Sequence, residues 1–314
     1  MPTTGIVLMT YGSPRDLDDV GAYITRVRGG REPDATLLAE FQRRYAVIGM
    51  SPLIEITRGQ ASALEAALGD SYRASAGMRF SEPSDAAAVD DVRHRGAERL
   101  LGVILSPQYS ATLMGGYDQA LQAAANGLPA RTVQAWHLNP AFVDVLASRI
   151  RRALSSYADE RRAQVPVLLT AHSLPKRVVD REPNYVDQLR ETAEAVAHAA
   201  ELPDEQWSFV YQSAGHTPEE WLKPDLLDVL PQMAQAGQHQ VIVAPVQFLA
   251  DHLETLNDID VAGRDQALSA GFEAFTRVEA PNASPDFIDA LASVVRGDLA
   301  AWDGSHAGVA CTRA

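Results

Sequence analysis

The residues of this chain whose types and spacing could do chemistry fall in two short stretches. In LLTAHSLPKR, residues 168–177, an apolar run suited to a buried strand ends in His172. A neutral imidazole at such a place can accept a proton, ligate a metal or simply satisfy a loop carbonyl. In FLADHLETLNDID, residues 248–260, Glu254 and Asp258 stand four apart. On a helix they share one face, separated by about 5.4 Å of axial rise. Like charges in that register repel unless a cation or water relieves them, and a solvated face is the plainer alternative. Asp251 reads as an N-cap or first-turn acid. His252 falls about 200° round a helix from Glu254 at ~100° per residue, so it is expected outside that column and structural. One imidazole with several carboxylates suits a hard or borderline divalent metal better than sulfur ligands do. A site with only His172 and Glu254 firmly placed would hold such a metal weakly, which suits passing it on.

Other chemistries lose support. No G-x-G-x-x-G follows a strand, and there is no Walker-type loop, G-x-S-x-G elbow or H-E-x-x-H. The only cysteine, Cys311, sits in a polar tail where order is not expected, so disulfides, cysteine-ligated zinc and an all-cysteine iron–sulfur cluster are excluded within one chain. The remaining histidines, His216 among them, have loop, tail or surface contexts and read as filler. A formal charge of -14 argues against nucleic acid. No run is long enough for membrane insertion, and MPTTGIVLMTYG shows no basic leader, so a cytoplasmic protein is expected.

These residues need strands and helices to deliver them. Apolar, β-branched runs at 5–12, 100–107, 165–173 and 240–248 alternate with helical patterns at 37–48, 52–69, 139–154 and 185–202. Weaker strand candidates are 78–80, 131–136, 207–213 and 274–280. The alternation predicts an α/β protein with parallel sheets. VLMTYGSP resembles VLLTAHSLP, and ILSPQYS resembles IVAPVQF. Two similar Rossmann-like halves follow, each a four-stranded parallel sheet flanked by helices, over residues 1–137 and 138–314. The last helix, about 284–302, has Ser284 as N-cap and is expected to pack back on the first half. Ligands of such sheets bind at the carboxyl ends of strands, which would bring Tyr11, Tyr109, His172 and Phe248 to one cleft.

Taken in order, MTYGSP, YITRVRGGREP, FQRRYAVIGMSPLIEIT, LSPQYS, TAHSLP, YVDQLRETAEAVA, YQSAGHTPEEWLKPD, VAPVQFLADHLETL and APNASPDFIDAL resemble the ferrochelatase family over nearly the whole chain. The resemblance implies two α/β halves around a porphyrin cleft, and insertion of Fe(2+) in heme biosynthesis. Within that family it points to the soluble bacterial branch acting on coproporphyrin III. The alternatives are a protoporphyrin IX ferrochelatase, another tetrapyrrole chelatase or, more remotely, a non-catalytic tetrapyrrole carrier. It implies that His172 and Glu254 are the catalytic and metal-binding pair, facing each other across the macrocycle; Asp258, on the same helix face as Glu254, is a candidate proton or metal relay. Tyr11 would lie near the metal opposite His172. Arg28, Arg44, Ser51 and Tyr117 match positions that hold propionates. Iron is then a substrate, with no tightly bound cofactor and no iron–sulfur cluster. A monomer is favoured, in transient contact with the enzymes before and after it. Gly29, Phe80 and Ala262 depart from residues tied to peripheral metal binding in some members, so an outer metal-loading site is not implied.

Overall fold

The structure, a computed structural model, describes residues 2–215 and 219–310; His216 and Cys311 lie outside the described residues. The first sheet contains β1 (Thr4–Thr10), β2 (Tyr72–Met78), β3 (Arg99–Ile104) and β4 (Ala130–Thr132), all parallel, in the order β2-β1-β3-β4. The second contains β5 (Val167–His172), β6 (Trp207–Gln212), β7 (Gln240–Pro245) and β8 (Ala274–Arg277), parallel again, in the order β6-β5-β7-β8. The same permutation in both halves gives the sequence echo a structural basis.

The four stronger runs became the inner strands. Helices cover both faces of each sheet, so these strands are apolar throughout, and Ile6, Val7, Leu8 and Met9 are all fully buried. The candidate at 78–80 is misplaced: β2 lies earlier, in YRASAGM, and ends where that candidate begins. Small residues there admit close neighbours, and a Cβ on Gly77 would come 2.6 Å from Oδ1 of Asp85.

The first half carries α1 (Val20–Val27), α2 (Ala35–Ile48), α3 (Leu53–Leu68), α4 (Asp85–His94) and α5 (Ala111–Ala124). The second carries α6 (Pro140–Ser155), α7 (Asp159–Arg162), α8 (Lys176–Val179), α9 (Pro183–Ala199), α10 (Leu226–Gln235), α11 (Arg264–Ala270) and α12 (Pro285–Ala310). Asp34 caps α2 by accepting from the Leu37 N–H, and Gly49 ends it at φ +69°, a left-handed value that glycine adopts freely. Ser284 opens α12 through its carbonyl, which accepts from Phe287 and Ile288. That helix is assigned to Ala310, beyond the expected end near 302. Glu254–Gly263 is a π-helix rather than the α-helix that four-residue spacing suggested, and it runs directly into α11.

One apolar cluster joins the halves, with Ile6 and Leu8 from β1, Phe142 and Ile150 from α6, and Phe287 and Leu291 from α12. Polar ties reinforce it. Arg149 meets Asp286 at 2.7 Å, Arg131 meets Asp298 at 3.0 Å, and Arg296 donates to the Ala67 carbonyl at 3.0 Å. The strand tips of both halves are thereby held in a fixed relation.

Candidate active site

His172 is the final residue of β5, beside Gln212 at the tip of β6. Its backbone N–H donates to Oε1 of Gln247 at 2.8 Å, and Gln247 in turn donates to the Tyr185 hydroxyl at 2.8 Å. The next residues fasten the loop: the Ser173 hydroxyl donates to the Leu222 carbonyl at 2.9 Å, and Ser173 N–H to the Gln212 carbonyl at 2.7 Å. Ser173 therefore braces the histidine. Nδ1 of His172 faces the Ser173 carbonyl, so it must carry a proton and donate. Nε2 is left to meet Oε1 of Glu254 at 3.4 Å.

Glu254 opens the π-helix. Its second oxygen, Oε2, lies 3.3 Å from Nε2 of His252, whose Nδ1 donates to the Ala250 carbonyl at 2.9 Å. One carboxylate thus sits between two imidazoles, each anchored to a backbone carbonyl through its far nitrogen. The expectation that His252 stays clear of Glu254 fails because His252 precedes the helix, so the helical angle does not apply. Asp251 is no cap either; it lies outside the helix and pairs with Arg277 at 2.9 Å. A second correction concerns the pair itself. At 3.4 Å there is no space for a macrocycle between His172 and Glu254, since a ring needs about 3.5–4.0 Å to heavy atoms on each of its faces.

The charges follow from this contact. Burial opposes charge on His172, but the Glu254 carboxylate and the Ser173 carbonyl outweigh it and hold the imidazole up at about 9. Burial likewise opposes charge on Glu254, and His172 with His252 outweighs it, holding the carboxyl well below the usual range. With 26% and 33% of their side-chain surfaces exposed, the two remain open to an incoming ligand. The resting pair is imidazolium and carboxylate.

Arg44, on α2, reaches across from the first half. Its Nη1 lies 3.6 Å from Oδ1 of Asp258 and its Nε 2.9 Å from Oε1 of Glu40. Tyr11, just beyond β1, is 47% exposed and meets the Phe80 ring edge-on at 4.7 Å. Burial, with the Glu254 charge, raises its phenol. The structure therefore gathers Arg44, His172, Glu254 and Asp258. Arg28 and Ser51 are engaged locally, Arg28 donating to the Glu32 carbonyl at 3.1 Å and Ser51 accepting from the Leu53 N–H at 3.4 Å. Tyr117 is buried on α5, and burial pushes its phenol well up.

One cation was missed. Arg79 stands directly after β2, exposed, with its guanidinium carbon 5.3 Å from the Phe80 ring centre and 5.0 Å from that of Tyr117. It packs against α5 at Gly116, where a Cβ would be 2.0 Å from Nη2. The signal was an arginine just past a strand, hidden because 78–80 was read as the strand. Among the described residues no group of three or more His, Cys, Asp or Glu forms a metal cage.

A model of the family described as Ferrochelatase matches residues 3–299. The chain belongs to the ferrochelatase family. It is 37% identical over 303 residues to a Ferrochelatase of Herpetosiphon aurantiacus, covering 94% of this chain and 98% of that one. It is 35% identical over 301 residues to the Coproporphyrin III ferrochelatase of Geobacillus sp., covering 93% and 96%, and 33% identical to that of Bacillus subtilis, covering 93% and 96%. Among solved structures, SirB from Bacillus subtilis with Fe3+ superposes with a TM-score of 0.60 at 11% identity, covering 97% of this chain and 98% of that one, a likeness of fold. The ferrochelatase-family chain is a metal chelatase, a lyase that inserts iron into a porphyrin in heme biosynthesis. Among the described residues no helix is long and apolar enough to cross a membrane.

Proposed function

We propose that the porphyrin is coproporphyrin III, that ferrous iron is the co-substrate, and that His172 and Glu254 work at the reacting centre from the same side of the ring. The observation that carries the site assignment is the 3.4 Å contact between them at the carboxyl end of β5. Support for coproporphyrin comes from the relatives at 33–35% identity that bear that name. It comes also from the cations of the first half, Arg44 beside Asp258 and the exposed Arg79 next to Phe80. Coproporphyrin has four propionates and protoporphyrin two, and the planar arginine fork meets carboxylates bidentately.

The chemical difficulty is that two weakly acidic pyrrole N–H groups point into the ring and block the metal. Binding the ring by its periphery supplies the strain that tilts those protons out of plane. His172 must be neutral to take one on Nε2. The neighbouring carboxylate offers that proton a first acceptor, from Nε2 of His172 to Oε1 of Glu254. Two protons leave the ring as one Fe(2+) enters. Asp258, next along the π-helix and in reach of Arg44, orients water or metal beside this path.

The test is anaerobic insertion of Fe(II) into coproporphyrin III and protoporphyrin IX, followed by absorbance. Higher kcat/KM with coproporphyrin III is expected. Equal or reversed preference would overturn the substrate assignment.

A further inference from the structure

Four acids, Asp251, Glu254, Asp258 and Asp260, lie within ten residues of chain at the cleft. Their mutual repulsion must be relieved for the segment to hold one conformation. Glu254 is held by two imidazoles and Asp258 meets Arg44. The remaining two, Asp251 ahead of Glu254 and Asp260 after Asp258, meet at one guanidinium.

Arg277, the last residue of β8, has 11% of its side chain exposed. Its Nη1 lies 2.9 Å from Oδ1 of Asp251, and its Nε donates to Oδ1 of Asp260 at 2.8 Å. Nine residues of straight α-helix would set two residues about 13.5 Å apart along the axis. One guanidinium touching both ties together two points of the chain on either side of the start of the π-helix. Asn282 secures the same point, donating to Oδ2 of Asp251 at 2.9 Å and accepting from the Asp251 N–H at 2.8 Å. The Asn282 carbonyl accepts from Gln60 of α3 at 2.8 Å, so the first half also holds this corner.

We propose that Arg277 is a positioning residue for metallation: by clamping Asp251 and Asp260 it sets the start and the phase of the π-helix, and so the places of the Glu254 and Asp258 carboxylates relative to His172. The inference rests on the site assignment given under Proposed function. A buried ion pair of this kind is seldom the most stabilising choice for its volume, which fits a role in specifying one arrangement. Catalytic geometry is sensitive to displacements of this scale, about 1 Å being enough for a large loss of rate.

The experiment uses the full chain, with anaerobic steady-state kinetics on whichever porphyrin the wild type metallates, for Arg277→Gln, Arg277→Lys and Asp260→Asn. Arg277→Gln is expected to lose about tenfold or more in kcat while KM for porphyrin stays within about twofold. Arg277→Lys, which keeps the charge but not the fork, should recover part of the loss. Asp260→Asn leaves the Asp251 contact in place; its kcat should fall less, again without a KM change, and it serves if Arg277→Gln does not fold. Unchanged kcat in folded variants, or a rise in KM in place of the kcat loss, would overturn the proposal. A wild type that inserts no iron would instead sink the reading of the site, so the two failures are distinct.

Discussion

Nε2 of His172 and Oε1 of Glu254 are 3.4 Å apart, and each sustains the other's charge against burial. His172 on the tip of β5 and Glu254 at the start of the π-helix are thus a coupled pair at rest rather than two walls of a gap. A base in the form of imidazolium is idle until it sheds a proton. The contact that stabilises the resting site therefore sets the pH at which it begins to work.

The first prediction is a pH dependence. His172 is raised to about 9 in the free protein, so below that pH the imidazolium dominates. If neutral His172 is the base, kcat/KM should climb about tenfold per pH unit at the acid side of a limb near 9, because that parameter reports the free enzyme. Glu254→Gln removes the carboxylate that favours the cation and leaves burial, which disfavours it. The limb should then move from near 9 toward acid pH. A limb that stays near 9 in Glu254→Gln would contradict the coupling.

His252 gives the second. It holds Oε2 of Glu254. His252→Ala should lower kcat by roughly 10–100-fold with little change in KM, the range typical of groups that orient a reacting side chain. Steady-state kinetics at fixed iron check this. A pure KM effect would place His252 in ring binding instead.

Arg44 already spends its guanidinium on Glu40 and Asp258. A propionate must join or displace those partners. Arg44→Ala should raise KM for coproporphyrin III by about tenfold, the size of a lost charge-assisted hydrogen bond. Protoporphyrin IX, with fewer propionates, should be affected less. Equal effects on both would remove Arg44 from the account of specificity.

Stability away from the cleft can be tested at α12. Arg149, with 4% of its side chain exposed, has Asp286 as an ion-pair partner and Ser284 as an acceptor. Asp286→Ala leaves a buried donor without its carboxylate and should cost about 1–3 kcal/mol in urea unfolding, with KM unchanged. Hydrogen bonding from Arg149 lowers the Asp286 carboxyl to about 2. Its contribution is therefore complete above the unfolded carboxylate range and lost as pH falls through about 2. Acid titration of wild type and variant should show the difference vanishing in that direction.

How far the sequence could be read depended on what each element announces. β1, β3, β5 and β7 are legible because strands covered on both faces must be apolar along their length. β2 is not, since Tyr72–Met78 is mostly alanine, serine and glycine, and its misplacement hid Arg79. The repeat shows in the sequence only as short echoes at strand tips, and in the fold as one strand permutation used twice. In the site, the spacing of Glu254 and Asp258 fits a solvated face equally well and only the family resemblance gives them a role, whereas the contact of His252 escapes helical geometry because His252 precedes the helix. The π-helix leaves no mark in a four-residue interval. The relation of His172 to Glu254 depends on how a turn after β7 folds back, a fact of Arg277, Asp251 and Asn282 that no local pattern contains.

The most direct measurement is single-turnover mixing of Fe(II) with coproporphyrin III bound to wild type and to His172→Ala, without oxygen, after porphyrin titration of each. The account predicts that the variant binds the ring within a few-fold of wild type and shows no metallation on the wild-type timescale. Metallation by His172→Ala at the wild-type rate, with the ring bound normally, would contradict it.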